Sequence, residues 1–143
     1  MHVAAVLKRK GTDIVSVHPD DSIGTVARTL AEHRIGAVLV TDGGAPVGIL
    51  SERDIVRGVA KQGAAILRQP VSTLMTRDLV TCRPDDSVAQ VMETMSERRI
   101  RHLPVMDGGR LVGLISIGDA VKARLDDAEL EVESLRGYVA GIG

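Results

Sequence analysis

Two periodicities alternate along the chain. Apolar residues at helical spacing, Ile23, Val26, Ala27 and Leu30 and then Val88, Val91, Met92 and Met95, predict two amphipathic helices. Each follows a short β-type run closed by proline, Val15-Ser16-Val17 before Pro19 and Val80-Thr81-Cys82 before Pro84. Each also begins behind a serine at the N-cap position, Ser22 or Ser87. Aliphatic runs come next. Ala37-Val38-Leu39-Val40 and Pro46-Val47-Gly48-Ile49-Leu50 flank Asp42-Gly43-Gly44, and His102-Leu103-Pro104-Val105 and Leu111-Val112-Gly113-Leu114-Ile115 flank Asp107-Gly108-Gly109. An Asp-Gly turn between two such runs predicts a β-hairpin. Both hairpins lead into Ser-x-x-Asp, at Ser51–Asp54 and Ser116–Asp119, close to a capping box at a helix start. Val3 to Lys10 reads as a short helix, Gly63 to Pro70 as a linker and Val71 to Met75 as a helical turn. Asp126 to Val139 reads as a charged helix with Leu130, Leu135, Tyr138 and Val139 available for packing, and the closing Gly141-Ile142-Gly143 is expected to fray.

The halves are one pattern written twice. Between Val15–Arg57 and Val80–Lys122, 65 positions apart and without a gap, 19 of 43 paired residues are identical. Two copies are too few for a solenoid, so the repeat predicts a pseudo-two-fold pair in which one unit buries the other. The fold class expected is α/β (α+β), two β-α-β-β-α repeats with a short N-terminal and a longer C-terminal helix. The boundaries expected are 1–11 for the N-terminal helix, 12–62 and 77–124 for the repeats, 63–76 for linker and short helix, and 125–143 for the C-terminal helix and tail.

Composition narrows the partners. A length of 143 residues suits one domain-sized module, whereas a half near 60 residues would be marginal alone. A net charge of −1 lacks the basic footprint of a nucleic-acid binder. No apolar run reaches the roughly 18 residues of a membrane span. The basic cluster Lys8-Arg9-Lys10 follows the first apolar stretch, the reverse of a secretory signal, and the single Cys82 fits a reducing compartment, so a cytoplasmic location is expected. Tyr138 is the lone aromatic residue. A planar ligand would therefore lie between aliphatic side chains, and single-strand nucleic-acid platforms built on aromatic stacking are disfavoured.

Gly48–Asp54 and Gly113–Asp119 are the segments with chemical potential. In each, a strand ends in a hydroxyl and delivers a carboxylate one helical turn later, beside the N–H groups of a helix start, which favour anions. A carboxylate there can accept hydrogen bonds from both hydroxyls of a vicinal diol, and the glycines permit close approach. Taken alone, Ser-x-x-Asp at a helix start is also simply a cap, and duplication copies caps as faithfully as sites. Asp20-Asp21 and Asp85-Asp86 precede helix starts, where charge–dipole complementarity explains them. The histidines are scattered, without His-x-x-x-His, Cys-x-x-Cys, phosphate-loop or Gly-x-Gly-x-x-Gly motifs, so no metal site, catalytic set, NTPase or dinucleotide oxidoreductase is expected. Cys82 reads as a small buried hydrophobe, and Met75, Met92, Met95 and Met106 as pliable packing.

The β-α-β-β-α repeat with Gly-aliphatic-aliphatic-Ser-x-x-Asp after its hairpin resembles the cystathionine-β-synthase (CBS) domain, and the tandem over about residues 12–124 resembles a Bateman module. Arg101-His102-Leu103-Pro104-Val105 and Ile115-Ser116-Ile117-Gly118-Asp119 are similar to segments of small bacterial stand-alone CBS pairs. The resemblance implies a non-enzymatic sensor that binds adenosine nucleotides in two clefts between the repeats. AMP and NAD(H) are favoured, while ADP, ATP and S-adenosylmethionine stay open. It assigns Ile49, Ser51 and Asp54 with Leu79, Val80, Arg101 and His102 to one cleft, and Leu114, Ser116 and Asp119 with Ile14, Val15, Gly36 and Ala37 to the other. The aspartates would hold ribose. Arg101 and His102 would make the first cleft the phosphate-rich one, since Gly36 and Ala37 bring no charge. His102 also fits a strand residue satisfied by backbone. The resemblance further implies a homodimer and an unnamed downstream protein, with no nucleic acid and no membrane as partner. A ligand-free dimerisation module is the alternative, and an enzyme acting on the bound nucleotide a weaker one.

Overall fold

Residues 1–141 are described by a computed structural model, with side chains as far as Gly137. The side-chain packing expected of Tyr138 and Val139, and Ile142 and Gly143, lie outside the described residues. The element order is α1 Val3–Lys10, β1 Ser16–Val17, α2 Ile23–His33, β2 Ala37–Asp42, β3 Ala45–Ser51, α3 Glu52–Gln62, 3-10 turns at Ala64–Arg68 and Val71–Thr73, α4 Val88–Arg98, β4 His102–Asp107, β5 Arg110–Ser116 and α5 Ile117–Gly141. The chain divides into two compact units, one of Asp13–Val80 with Gly108–Leu111, the other of Met1–Thr12, Thr81–Asp107 and Val112–Gly143.

In the first unit β1 runs parallel to β2, which pairs antiparallel with β3. The two-residue turn falls on Gly43 and Gly44 at φ 59° and 83°, the left-handed conformation a tight hairpin turn demands. Ser22 caps α2 by accepting from Thr25 N–H. Ile23, Val26 and Leu30 of α2 are buried with Val38, Val40, Leu50, Ile55, Ile66, Val71 and Met75 in an entirely non-aromatic core. Gly63–Pro70, expected to be a linker, sends Ile66 into that core, with Leu67 packed against it. Ile66 is 1% exposed, and Ile23 N–H donates to Gln69 O at 2.9 Å.

In the second unit α4 is capped by Ser87 in a full capping box with Gln90, and β4 and β5 form the hairpin. Val80-Thr81-Cys82, the first-strand counterpart, shrinks to a single parallel bridge between Cys82 and Val105. The cause is Pro104. It stands where repeat 1 has Leu39, whose N–H donates to Val15 O at 3.4 Å, and proline has no N–H to offer. The paired aspartates precede the helices, as expected, and one of each pair has a further partner. No acidic residue lies in the first turn of α2 or α4. Asp21 and Asp86 accept from His18 N–H and Arg83 N–H, closing the turn before each helix.

The repeat is longer than the 65-residue offset reveals. Val71 N–H donates to Asp21 O and Ser72 N–H to Pro19 O, and Val3 N–H donates to Asp86 O and Ala4 N–H to Pro84 O. Gln69–Met75 and Met1–Leu7 therefore perform the same docking at an offset of 68, three more than the core repeat. Those three residues add a turn to α1 and carry it as far as Lys10.

Candidate functional site

Each repeat builds the same local frame around its Ser-x-x-Asp. In repeat 1, Ala37 pairs with Ser51 across the hairpin, and Glu52 N–H donates to Gly36 O at 2.9 Å. Ser51 Oγ accepts from Asp54 N–H at 3.2 Å and donates to Asp54 Oδ2 at 3.0 Å, while Ser51 N–H donates to the same Oδ2 at 2.9 Å. The capping box is thus closed and holds the carboxylate rigidly. Asp54 Oδ1 has no partner among the described residues. In repeat 2, Ile117 N–H donates to Arg101 O at 2.8 Å, Ser116 N–H to Asp119 Oδ2 at 2.9 Å and Asp119 N–H to Ser116 Oγ at 3.1 Å.

The structure therefore brings Gly36, Ala37, Ser51 and Asp54 together within one unit, and Arg101, Ser116 and Asp119 within the other, with His102 opening β4 beside Arg101. Ile14, Val15, Ile49, Leu79, Val80 and Leu114 are partly buried, and Ala37 is fully buried. Gly48 and Gly113 each stand at a close approach. A Cβ on Gly48 would lie 2.7 Å from Met75 Sδ and 3.1 Å from Thr76 O, and one on Gly113 would lie 2.6 Å from Leu7 Cδ2. These glycines admit the docking segments of their own units.

The two aspartates are not equivalent. Lys10 Nζ donates to Asp119 Oδ2 at 2.6 Å and to Leu114 O at 2.9 Å, so α1 places a cation on the second carboxylate. No ion pair reaches Asp54 among the described residues. The 65-residue repeat gives no hint of Lys10, which belongs to the three-residue extension of α1. The one available signal is the Lys8-Arg9-Lys10 cluster ending a helix, where cations are favoured.

Burial pushes the Asp119 carboxyl up, but the Lys10 bond, the Ser116 bonds and the Lys10 charge together take it below the ordinary carboxylate value. A depressed carboxyl contributes stability that is present above its unfolded pKa and lost as pH falls through the lower folded one, so this contribution fades only under strongly acidic conditions. His102 is lowered, first by burial, against the pull of Asp119 and with the help of Lys10 and Arg101. It is therefore neutral at pH 7 and offers one N–H rather than a charge, leaving the exposed Arg101 as the cation of the pair expected to read phosphate. Cys82 is buried, and desolvation followed by the Asp86 charge pushes its thiol up to about 12, which keeps it unreactive. No group of three or more His, Cys, Asp or Glu could hold a metal among the described residues, and no described helix is long and apolar enough to cross a membrane.

The CBS domain family matches residues 4–61 and 71–126, and the chain belongs to that family. It is a tandem pair of CBS domains. The crystal structure of the CBS-domain containing protein ATU1752 from Agrobacterium tumefaciens is 54% identical with a TM-score of 0.85, covering 87% of this chain and 99% of that one. The CBS domain protein PAE2072 from Pyrobaculum aerophilum, complexed with AMP, is 32% identical with a TM-score of 0.74 over 83% and 89% of the two chains. The CBS domain pair of MJ0100, in complex with 5-methylthioadenosine and S-adenosyl-L-methionine, is 27% identical with a TM-score of 0.76 over 90% and 98%. Among curated relatives, the mitochondrial CBSX3 protein of Arabidopsis thaliana is 33% identical over 127 residues, 85% of this chain and 62% of its own length.

Lys10→Met tests the asymmetry. Because Lys10 is 35% exposed and Asp119 23%, solvent screening keeps the pair's worth small. The variant is expected to raise ligand affinity at Asp119 by about 1.5- to 5-fold. NMR should show Asp119 titrating at higher pH, with the acid-side stability it contributed reduced. An unchanged Asp119 titration would show that the contact does not persist in solution.

Proposed function

We propose that this chain is a non-enzymatic regulatory module that binds adenosine nucleotides, AMP and NAD(H) before ADP or ATP, and passes their level to a downstream protein through a homodimer. The observation that carries this reading is the Asp54 carboxylate, fixed by Ser51 through one oxygen and left with the other to accept a ribose hydroxyl. The adenosine ligands of PAE2072 and MJ0100 support it. The first site comprises Ile49, Ser51 and Asp54 with Leu79, Val80, Arg101 and His102. The second comprises Leu114, Ser116 and Asp119 with Ile14, Val15, Gly36 and Ala37, and it must compete with Lys10 for Asp119. A cytoplasmic setting belongs to the same proposal. Regulation requires differential affinity for two conformations, so binding alone does not make a sensor.

Native mass spectrometry of freshly purified protein, followed by an NADH titration, tests the reading. The chain has no Trp, so NADH emission meets no indole background. A saturable signal relieved by AMP, with no loss of reduced cofactor over hours, is expected. Steady oxidation abolished by Asp54→Ala would favour an enzyme. No saturable response to NADH, AMP or ATP would favour a ligand-free dimerisation module, the second reading, which the Lys10 contact on Asp119 supports.

A further inference from the structure

The last described stretch of α5 is a helix without a counterface. Every side chain from Ala128 to Gly137 is exposed. A ten-residue helical segment that buries nothing is marginal in water. Its apolar residues are nevertheless ordered. Val121, Leu125, Ala128, Val132 and Leu135 follow at alternating spacings of four and three, the seam of a coiled coil, over about 21 Å at 1.5 Å per residue. Val121 is 42% exposed, Leu125 60%, Val132 49% and Leu135 69%. Leu130 lies off this seam. The opposite face of the helix root is accounted for: Ala120 and Ala123 are buried, and Asp126 pairs with Arg9 of α1.

Flanking charges identify the occupant. Arg124, Glu129, Glu131 and Arg136 border the seam and make no ion pair among the described residues. In a parallel, in-register pair of identical helices, a residue on one flank meets the residue five positions later on the other helix. That sets Arg124 against Glu129 of the second copy and Glu131 against Arg136 of the second copy, each twice by symmetry. Antiparallel stacking that keeps Leu135 in the seam, with Leu125 opposite Leu135 of the second copy and Ala128 opposite Val132, would instead bring Glu129 and Glu131 each onto its own counterpart and Lys122 onto Arg136, and the other antiparallel register leaves Leu135 uncovered. We infer that α5 from Val121 to Leu135 pairs in parallel and in register with the same helix of a second copy, as a short two-stranded coiled coil. This rests on the exposed seam and its flanking charges and is independent of any nucleotide.

Cysteine cross-linking in the full chain tests it, since Cys82 is 5% exposed and its thiol stays protonated. Leu135→Cys, on the seam, is expected to form a disulfide with its own counterpart far faster than Ser134→Cys, one position off it. Glu131→Arg should raise the dimer dissociation constant about tenfold, and the double variant Glu131→Arg/Arg136→Glu should restore it. Both substitutions lie on fully exposed helix, so folding is not at stake. Equal cross-linking of the two cysteines, preferential linking of Leu125→Cys with Leu135→Cys, or a dissociation constant indifferent to Glu131→Arg would each overturn the parallel pairing.

Discussion

Asp54→Ala is expected to weaken AMP binding at the first site by about 10- to 150-fold, the loss of a hydrogen bond to a charged acceptor worth roughly 1.5–3 kcal/mol. On the proposed reading the carboxylate has two duties, and the measurement must separate them. Through Oδ2 it closes the capping box with Ser51, so its removal also costs helix α3 about 0.5–2 kcal/mol of stability. Only the ribose role distinguishes ligands. Calorimetry with AMP and its 2′-deoxy analogue should show a wide gap in the native protein and almost none in Asp54→Ala. An AMP affinity equal to that of the 2′-deoxy analogue in the native protein would refute the clamp, because the cap cannot tell one sugar from the other. A 2′-phosphate should likewise be repelled by Asp54, so NADP(H) is expected to bind the first site poorly.

What the sequence makes legible is local. The hairpins, the serine caps and the Ser-x-x-Asp boxes each depend on residues within a few positions, and their bonds form where the spacing places them. Features that depend on offset were hidden. Lys10 meets Asp119 because Met1–Leu7 and Gln69–Met75 dock alike but three residues out of step with the repeat behind them, so a gapless self-comparison never aligns them. Pro104 was visible, yet its consequence, a strand cut to a single bridge, emerges only when Leu39 N–H is seen donating in the other repeat. His102 looked like half of a cationic pair beside Arg101, and it is the desolvation of β4 that makes it neutral. The partners of Gly48 and Gly113 could not be named either, because Met75 and Leu7 reach them from segments that composition marks only as a turn and a leading helix.

A linker residue tolerates truncation within about 0.5 kcal/mol, whereas a core isoleucine cut to alanine loses about 2–5 kcal/mol through lost transfer and an unfilled cavity. Ile66 lies between Gly63 and Pro70 in the segment expected to be linker, but it is 1% exposed and packed with Ile23, Val38, Leu50 and Ile55. It also underlies α3: a Cβ on Gly58 would meet Leu74 Cδ1 at 2.8 Å and Ile66 Cγ1 at 3.5 Å. Ile66→Ala is therefore expected to destabilise the Asp13–Val80 unit by about 2–5 kcal/mol in urea titrations followed by circular dichroism. The exposed Arg68→Ala should stay within about 0.5 kcal/mol. Since α3 carries Asp54, conditions that leave the variant partly unfolded should remove AMP binding at the first site in proportion to the unfolded fraction. Equal stability of the Ile66 and Arg68 variants would return Gly63–Pro70 to the status of a linker and leave Met75 and α3 to be positioned by other contacts.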